Sequence, residues 1–125
     1  MVQTELAPIR RELDAALADQ ERFEALALVE LNQDRLLFLG TAPGAAAGLE
    51  ASLEDFLLRL VTYTESHDQF TENEDFVFYD LTGRQLVLRY FETKTRRCVL
   101  VAVVYPQKTY KQAVKKLAKT LKPLV

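Results

Sequence analysis

Residues 98–105 read CVLVAVVY, eight apolar positions in succession, bounded by the polar turn TKTRR before them and by Pro106 after. The run is far shorter than the roughly 20 residues that a membrane-crossing helix needs. It also lacks the alternation of a strand with one wet face, so neither face tolerates water. A chain containing it must build a sheet around it as a central strand covered on both sides. At 125 residues one domain with one such sheet is the simplest solution, and no disulfide or metal staple is required.

The remaining elements follow from period and punctuation. Leu6, Ile9, Leu13, Ala16 and Leu17 recur at helical spacing, which predicts a first helix over residues 8–20 with Pro8 in its opening turn. Phe23, Ala25, Ala27, Val29 and Leu31 alternate, Asn32, Gln33 and Asp34 supply turn chemistry, and residues 35–39 continue as a second strand. The loop GTAPGAAAG lacks both the Lys-Ser/Thr ending of a phosphate loop and GxGxxG spacing, and reads as a connection. A second helix over residues 49–65 carries Leu49, Leu53, Phe56, Leu57, Leu60, Val61, Tyr63 and Thr64 around nearly half its circumference. That stripe is wider than packing on one sheet requires, which predicts an interface there. FVFYDL, QLVLRYFE and CVLVAVVY then give three strands, and KTYKQAVKKLAKTLK gives a closing helix. The order α-β-β-α-β-β-β-α with short strand links predicts an α/β protein of the α+β type: a three-layer α/β/α sandwich on a five-stranded antiparallel sheet.

Charge is unevenly placed. Residues 1–104 hold all 18 acidic groups and sum to −8, whereas residues 105–125 carry six lysines and no acid. On the closing helix, Tyr110, Val114, Leu117, Leu121 and Leu124 form an apolar stripe, and Lys108, Lys111, Lys115, Lys119 and Lys122 run parallel to it about one residue round the axis. The lysine ridge is either a solvated flank or a surface for an acidic protein partner. Nucleic acid fits it poorly, since no arginine stands on the helix and the rest of the chain repels a polyanion. Membrane adhesion meets the same objection, and the apolar stripe is needed for the core.

Chemistry-bearing residues are few. Cys98 is the one cysteine and sits in the apolar run, as a small buried side chain. His67, the one histidine, reads as a helix-end surface residue, and Glu72, Glu74 and Asp75 as a charged loop without calcium-loop spacing. Arg89 is the polar strand residue best placed to point inward for a small-ligand or sensing domain, although an exposed strand arginine is commoner. No catalytic, cofactor or metal site is expected. The opening MVQTELAPIRRELD has no apolar core segment, so no signal peptide is expected and the chain reads as cytoplasmic.

The segment FVFYDLTGRQLVLRYF…RCVLVAVVYPQKTYKQAVKKLAKTL, with FEALALVELNQDRLLFLG and the second helix before it, resembles the roadblock/LC7 family and covers most of the chain. One departure is the first hairpin turn, LNQDRL, which lacks the glycine usual in that family. The resemblance implies a profilin-like homodimer in which second helices pair antiparallel and the following strands join edge to edge. It would use Leu49, Leu53, Phe56, Leu60, Tyr63, Phe76 and Phe78 as the dimer interface. It also implies a non-catalytic scaffold or regulator of a Ras-like small GTPase; the lysine ridge separately offers Lys108, Lys111, Lys115 and Lys119 as candidate partner contacts.

Overall fold

A computed structural model describes residues 2–19, 22–31, 35–45, 47–66, 75–79, 83–93, 96–106 and 109–125. The elements are α1 (Val2–Asp19), β1 (Phe23–Glu30), β2 (Arg35–Thr41), α2 (Leu49–Ser66), β3 (Asp75–Tyr79), β4 (Gln85–Glu92), β5 (Arg97–Val104) and α3 (Lys111–Leu121), closed by a 3₁₀ turn at Lys122–Leu124. All sheet pairings are antiparallel and the strand order is β2-β1-β5-β4-β3. The expected mixed α/β class and five-stranded antiparallel sheet are therefore present. None of the helices among the described residues is long and apolar enough to cross a membrane.

β5 occupies the middle of the sheet with Cys98 to Val104 all buried, as its unbroken apolar run requires. Its odd and even residues feed two separate cores. Cys98, Leu100, Ala102 and Val104 pack with Ile9, Leu13 and Leu17 of α1 and Val114, Leu117, Ala118 and Leu121 of α3. Val99, Val101 and Val103 pack with Leu53 and Leu57 of α2. Two helices thus serve one face and one helix the other.

Two expectations change. α1 starts at Val2 rather than Pro8, which places the proline inside the helix. There its ring removes the amide that would bond the Thr4 carbonyl, and the apolar series Ile9, Leu13, Leu17 holds the element against the sheet regardless. β1 is buried along all eight residues, not on one face alone. It lies between β2 and β5, so Leu26 and Leu28 face the α1/α3 core while Ala25, Ala27 and Val29 face α2.

The seating of α1 depends on one glycine. Gly40 of β2 has an ordinary backbone angle, but a Cβ there would stand 2.8 Å from the Phe38 ring and 3.1 Å from Leu17 of α1. Gly40→Ala is expected to push ring and helix apart and to destabilise the protein by about 1–3 kcal/mol. A lowered urea midpoint at unchanged slope would be its signature, and an unchanged midpoint would show that this approach is not tight.

Candidate functional site

The shortage of cover on the α2 side leaves an open apolar groove of about 310 Å³. Leu49, Ser52 and Phe56 of α2 form one wall; Phe78, Tyr79, Arg84, Leu86 and Val103, with Leu53 beneath, form the other wall and the floor. The β3–β4 register sets Phe76 opposite Leu88 and Phe78 opposite Leu86, so these four side chains share the α2 face. Phe76 is half-buried and meets Tyr90 edge to face, with centroids 5.9 Å apart. Phe78 is 51% exposed and Tyr79 70% exposed, although both are large and apolar and belong to a strand. Among the described residues β3 is an edge strand, bonded to β4 on one side, with outer amides and carbonyls open to another chain.

The seven expected interface residues divide accordingly. Leu49, Phe56 and Phe78 line the groove with part of their surface free, and Phe76 lies behind them. Leu53 is 4% exposed and belongs to the protein's own core, reaching the groove only as its floor. Leu60 and Tyr63 lie on α2, but their side chains fall outside the described residues. Leu58, which the helical wheel sets beyond the stripe, is 68% exposed on α2, whereas sequence periodicity did not single out Leu86 or Val103.

A buried ion pair fixes one end of the groove. Glu24 is 2% exposed and is the extra residue on β1 where Phe23 pairs with Val104 and Ala25 with Val103, a bulge that re-aims a side chain. Arg84 Nε donates to Glu24 Oε1 at 2.6 Å and Nη2 to Oε2 at 3.3 Å. The two residues stand 60 positions apart, which hid the pair from any local pattern. At the opposite end of β1, Glu30 accepts from Arg35 at 3.1 Å and sits 3.5 Å from Arg96. This second cluster adjoins Cys98, the cross-strand partner of Glu30. Burial, reinforced by the Glu30 carboxylate and only partly opposed by Arg96 and Arg35, pushes the Cys98 thiol up to about 12. Arg89, which an exposed strand position would have suited, is instead buried on the α1/α3 side, between Val87 and Phe91 of the same core.

On α3 the two stripes stand as spacing demands. Val114, Leu117 and Leu121 are buried and Tyr110 and Leu124 pack beside them, while Lys111, Lys115, Lys119 and Lys122 are exposed. Like charges four residues apart oppose helix formation by about 0.2–0.5 kcal/mol per pair. Lys108, His67, Glu72, Glu74 and the Asn32-Gln33-Asp34 turn lie outside the described residues, as does the side chain of Asp75. Among the described residues no group of three His, Cys, Asp or Glu side chains is gathered as a metal site.

Two outcomes test this geometry. Arg84→Ala removes the guanidinium from the buried Glu24 carboxylate at the groove's end and is expected to cost about 3 kcal/mol, the lower end for a broken buried pair because Arg84 itself is partly wet; urea unfolding measures it. Cys98 is expected to resist thiol alkylation at neutral pH until the protein unfolds, because the thiolate is scarce and covered. Fast native labelling would contradict the burial.

Comparison with protein-family models yields no match, and comparison with curated proteins yields no significant one.

Proposed function

We propose that this protein is a homodimeric scaffold or regulator of a Ras-like small GTPase, acting through surfaces rather than through chemistry of its own. The observation that carries the reading is the apolar groove beside the open β3 edge. Half-exposed Phe78 on an edge strand is an aggregation liability unless another chain covers it. A second copy supplies the cover with the least demand on chemistry: an antiparallel β3–β3 contact about a two-fold axis continues the sheet and keeps both α2 helices on one face. Each copy then offers Leu49, Phe56 and Phe78 to the other. A stable contact of this kind buries about 800 Å² per partner, with its apolar centre contributing most.

The GTPase half of the reading comes from the likeness of element order and back-half sequence to roadblock/LC7 proteins, whose members serve as platforms for such GTPases. The small-ligand alternative is less well supported. The groove's polar lining amounts to Ser52, Tyr79 and Arg84, and Arg84 is engaged by Glu24, whereas ligand sites place several converging polar groups.

Phe78→Glu tests the dimer with little risk to the fold, because Phe78 is already half in water. Light scattering is expected to give twice the chain mass for the wild type and the single mass for the variant, with unchanged circular dichroism; the cost of burying two unpaired carboxylates in the contact is what blocks reassociation. A wild type that stays monomeric at high concentration sinks the dimer. The partner is tested separately, by complex formation and GTP turnover with a panel of Ras-like GTPases, and silence across the panel sinks that half.

A further inference from the structure

A second surface lies on the other side of the sheet. Ala113, Lys116, Leu117 and Thr120 of α3 border the cleft shared with Glu12, Ala15 and Ala16 of α1, so that flank of α3 faces α1. Lys111, Lys115 and Lys119 are exposed and, at 100° per residue, stand on the opposite flank. α1 packs on β1 and β2 while α3 reaches β4. With the strand order β2-β1-β5-β4-β3, the lysine flank is turned toward β3.

Five strands about 4.8 Å apart make a sheet ~24 Å wide, and two helices about 10 Å across cover only ~20 Å of it. Among the described residues the strip left without a helix is β3, where Val77 stays only partly buried although it belongs to the core beneath α1 and α3. The result is a ledge with Val77 and Val87 on its floor, the buried Arg89 of β4 beside them, and a wall of lysines. The described residues do not neutralise that wall. Among the described residues Lys111, Lys115 and Lys119 enter no ion pair, and α3 contains no acidic residue. Their i, i+4 spacing sets like charge beside like charge, and Lys111 stands at the positive end of the helix dipole.

We infer that this ledge docks an acidic amphipathic helix of a partner protein, laid alongside α3 with carboxylates toward Lys111, Lys115 and Lys119 and an apolar side chain on Val77. Successive lysines are about 6 Å apart along the axis, the interval at which a second helix repeats its own i, i+4 side chains. A nucleic acid finds no exposed arginine fork there, since Arg89 is buried, and the −8 carried by residues 1–104 opposes a long polyanion. A bilayer is planar and cannot enter a space beside a helix. The ledge belongs to a single copy and does not depend on β3 pairing with its twin.

The test titrates a fluorescently labelled helical peptide, with glutamate at every fourth position beside a leucine stripe, into the whole protein. A lysine-for-glutamate peptide, a single-stranded oligonucleotide and phosphatidylserine vesicles form the comparison arms. Saturable binding of the acidic peptide alone is expected, weakening as salt is raised. Lys115→Glu/Lys119→Glu is expected to lose about tenfold in affinity with circular dichroism and mass unchanged; if charge reversal disturbs the fold, Lys115→Gln/Lys119→Gln replaces it. Phe78→Glu, altered on the other face, is expected to bind as the wild type does. Absence of saturable binding, equal binding by the lysine variants, loss of binding in Phe78→Glu, or tighter binding of the oligonucleotide or vesicles would overturn the inference. The mass of Phe78→Glu reports on the dimer separately.

Discussion

The burial of β5 on both faces is the constraint from which the other features follow. Seven consecutive residues from Cys98 to Val104 are out of water, and an unbroken apolar strand of that kind is tolerable only with strands on both sides and helices above and below. β1 and β4 satisfy the first need, and α1, α3 and α2 the second. Three helices for a five-stranded sheet leave cover unevenly divided, two against one. The deficit falls at β3, the strand farthest from α1, and appears on one face as the Phe78 groove and on the other as the ledge beside α3. Both candidate surfaces are therefore consequences of how the central strand is housed rather than separate additions.

Register at the heart of the sheet is set by charge as well as by grease. Glu24 and Glu30 stand near the two ends of β1, both almost fully buried, and each is met by arginine from a different element. A one-residue slip of β1 would turn its side chains to the wrong faces and leave these carboxylates without their guanidinium partners, a cost far larger than their net contribution in the correct fold. The buried pairs thus act mainly against wrong pairings. The same pair at Glu24 ties Arg84, and with it the start of β4, to the rim of the groove.

How much of this was readable in advance depended on the range of the signal. The two stripes of α3 were fully legible because Val114, Leu117 and Leu121 and the lysines follow one local period. The central place of β5 was legible because no polar residue interrupts it. Pro8 misled because proline usually opens a helix, whereas here tertiary packing of Ile9 and Leu13 carries the helix through it. The all-round burial of β1 was missed because Glu24 and Glu30 look like solvent-facing residues until their arginines, up to 66 positions away, are placed beside them. For the same reason Arg89 appeared better suited to water than it is. Of the expected interface, the breadth of the α2 stripe was visible, but which of its members turn inward was not: Leu53 and Phe56 are three residues apart, and only the sheet beneath decides that the first is core and the second is wall.

The two faces of β3 differ in the physics by which they would bind, and this separates their roles. Contact through Phe78, Phe56 and Leu49 is driven by removing apolar surface from water, a contribution that ordinary salt leaves intact. Contact through Lys111, Lys115 and Lys119 is coulombic and exposed, so it weakens once the Debye length, about 8 Å at physiological ionic strength, becomes comparable to the charge spacing. If the two proposals hold, a protein with one surface of each kind on opposite sides of a single strand would hold its twin firmly while exchanging an acidic partner readily. That combination suits a platform, whose own assembly must persist while what it carries comes and goes.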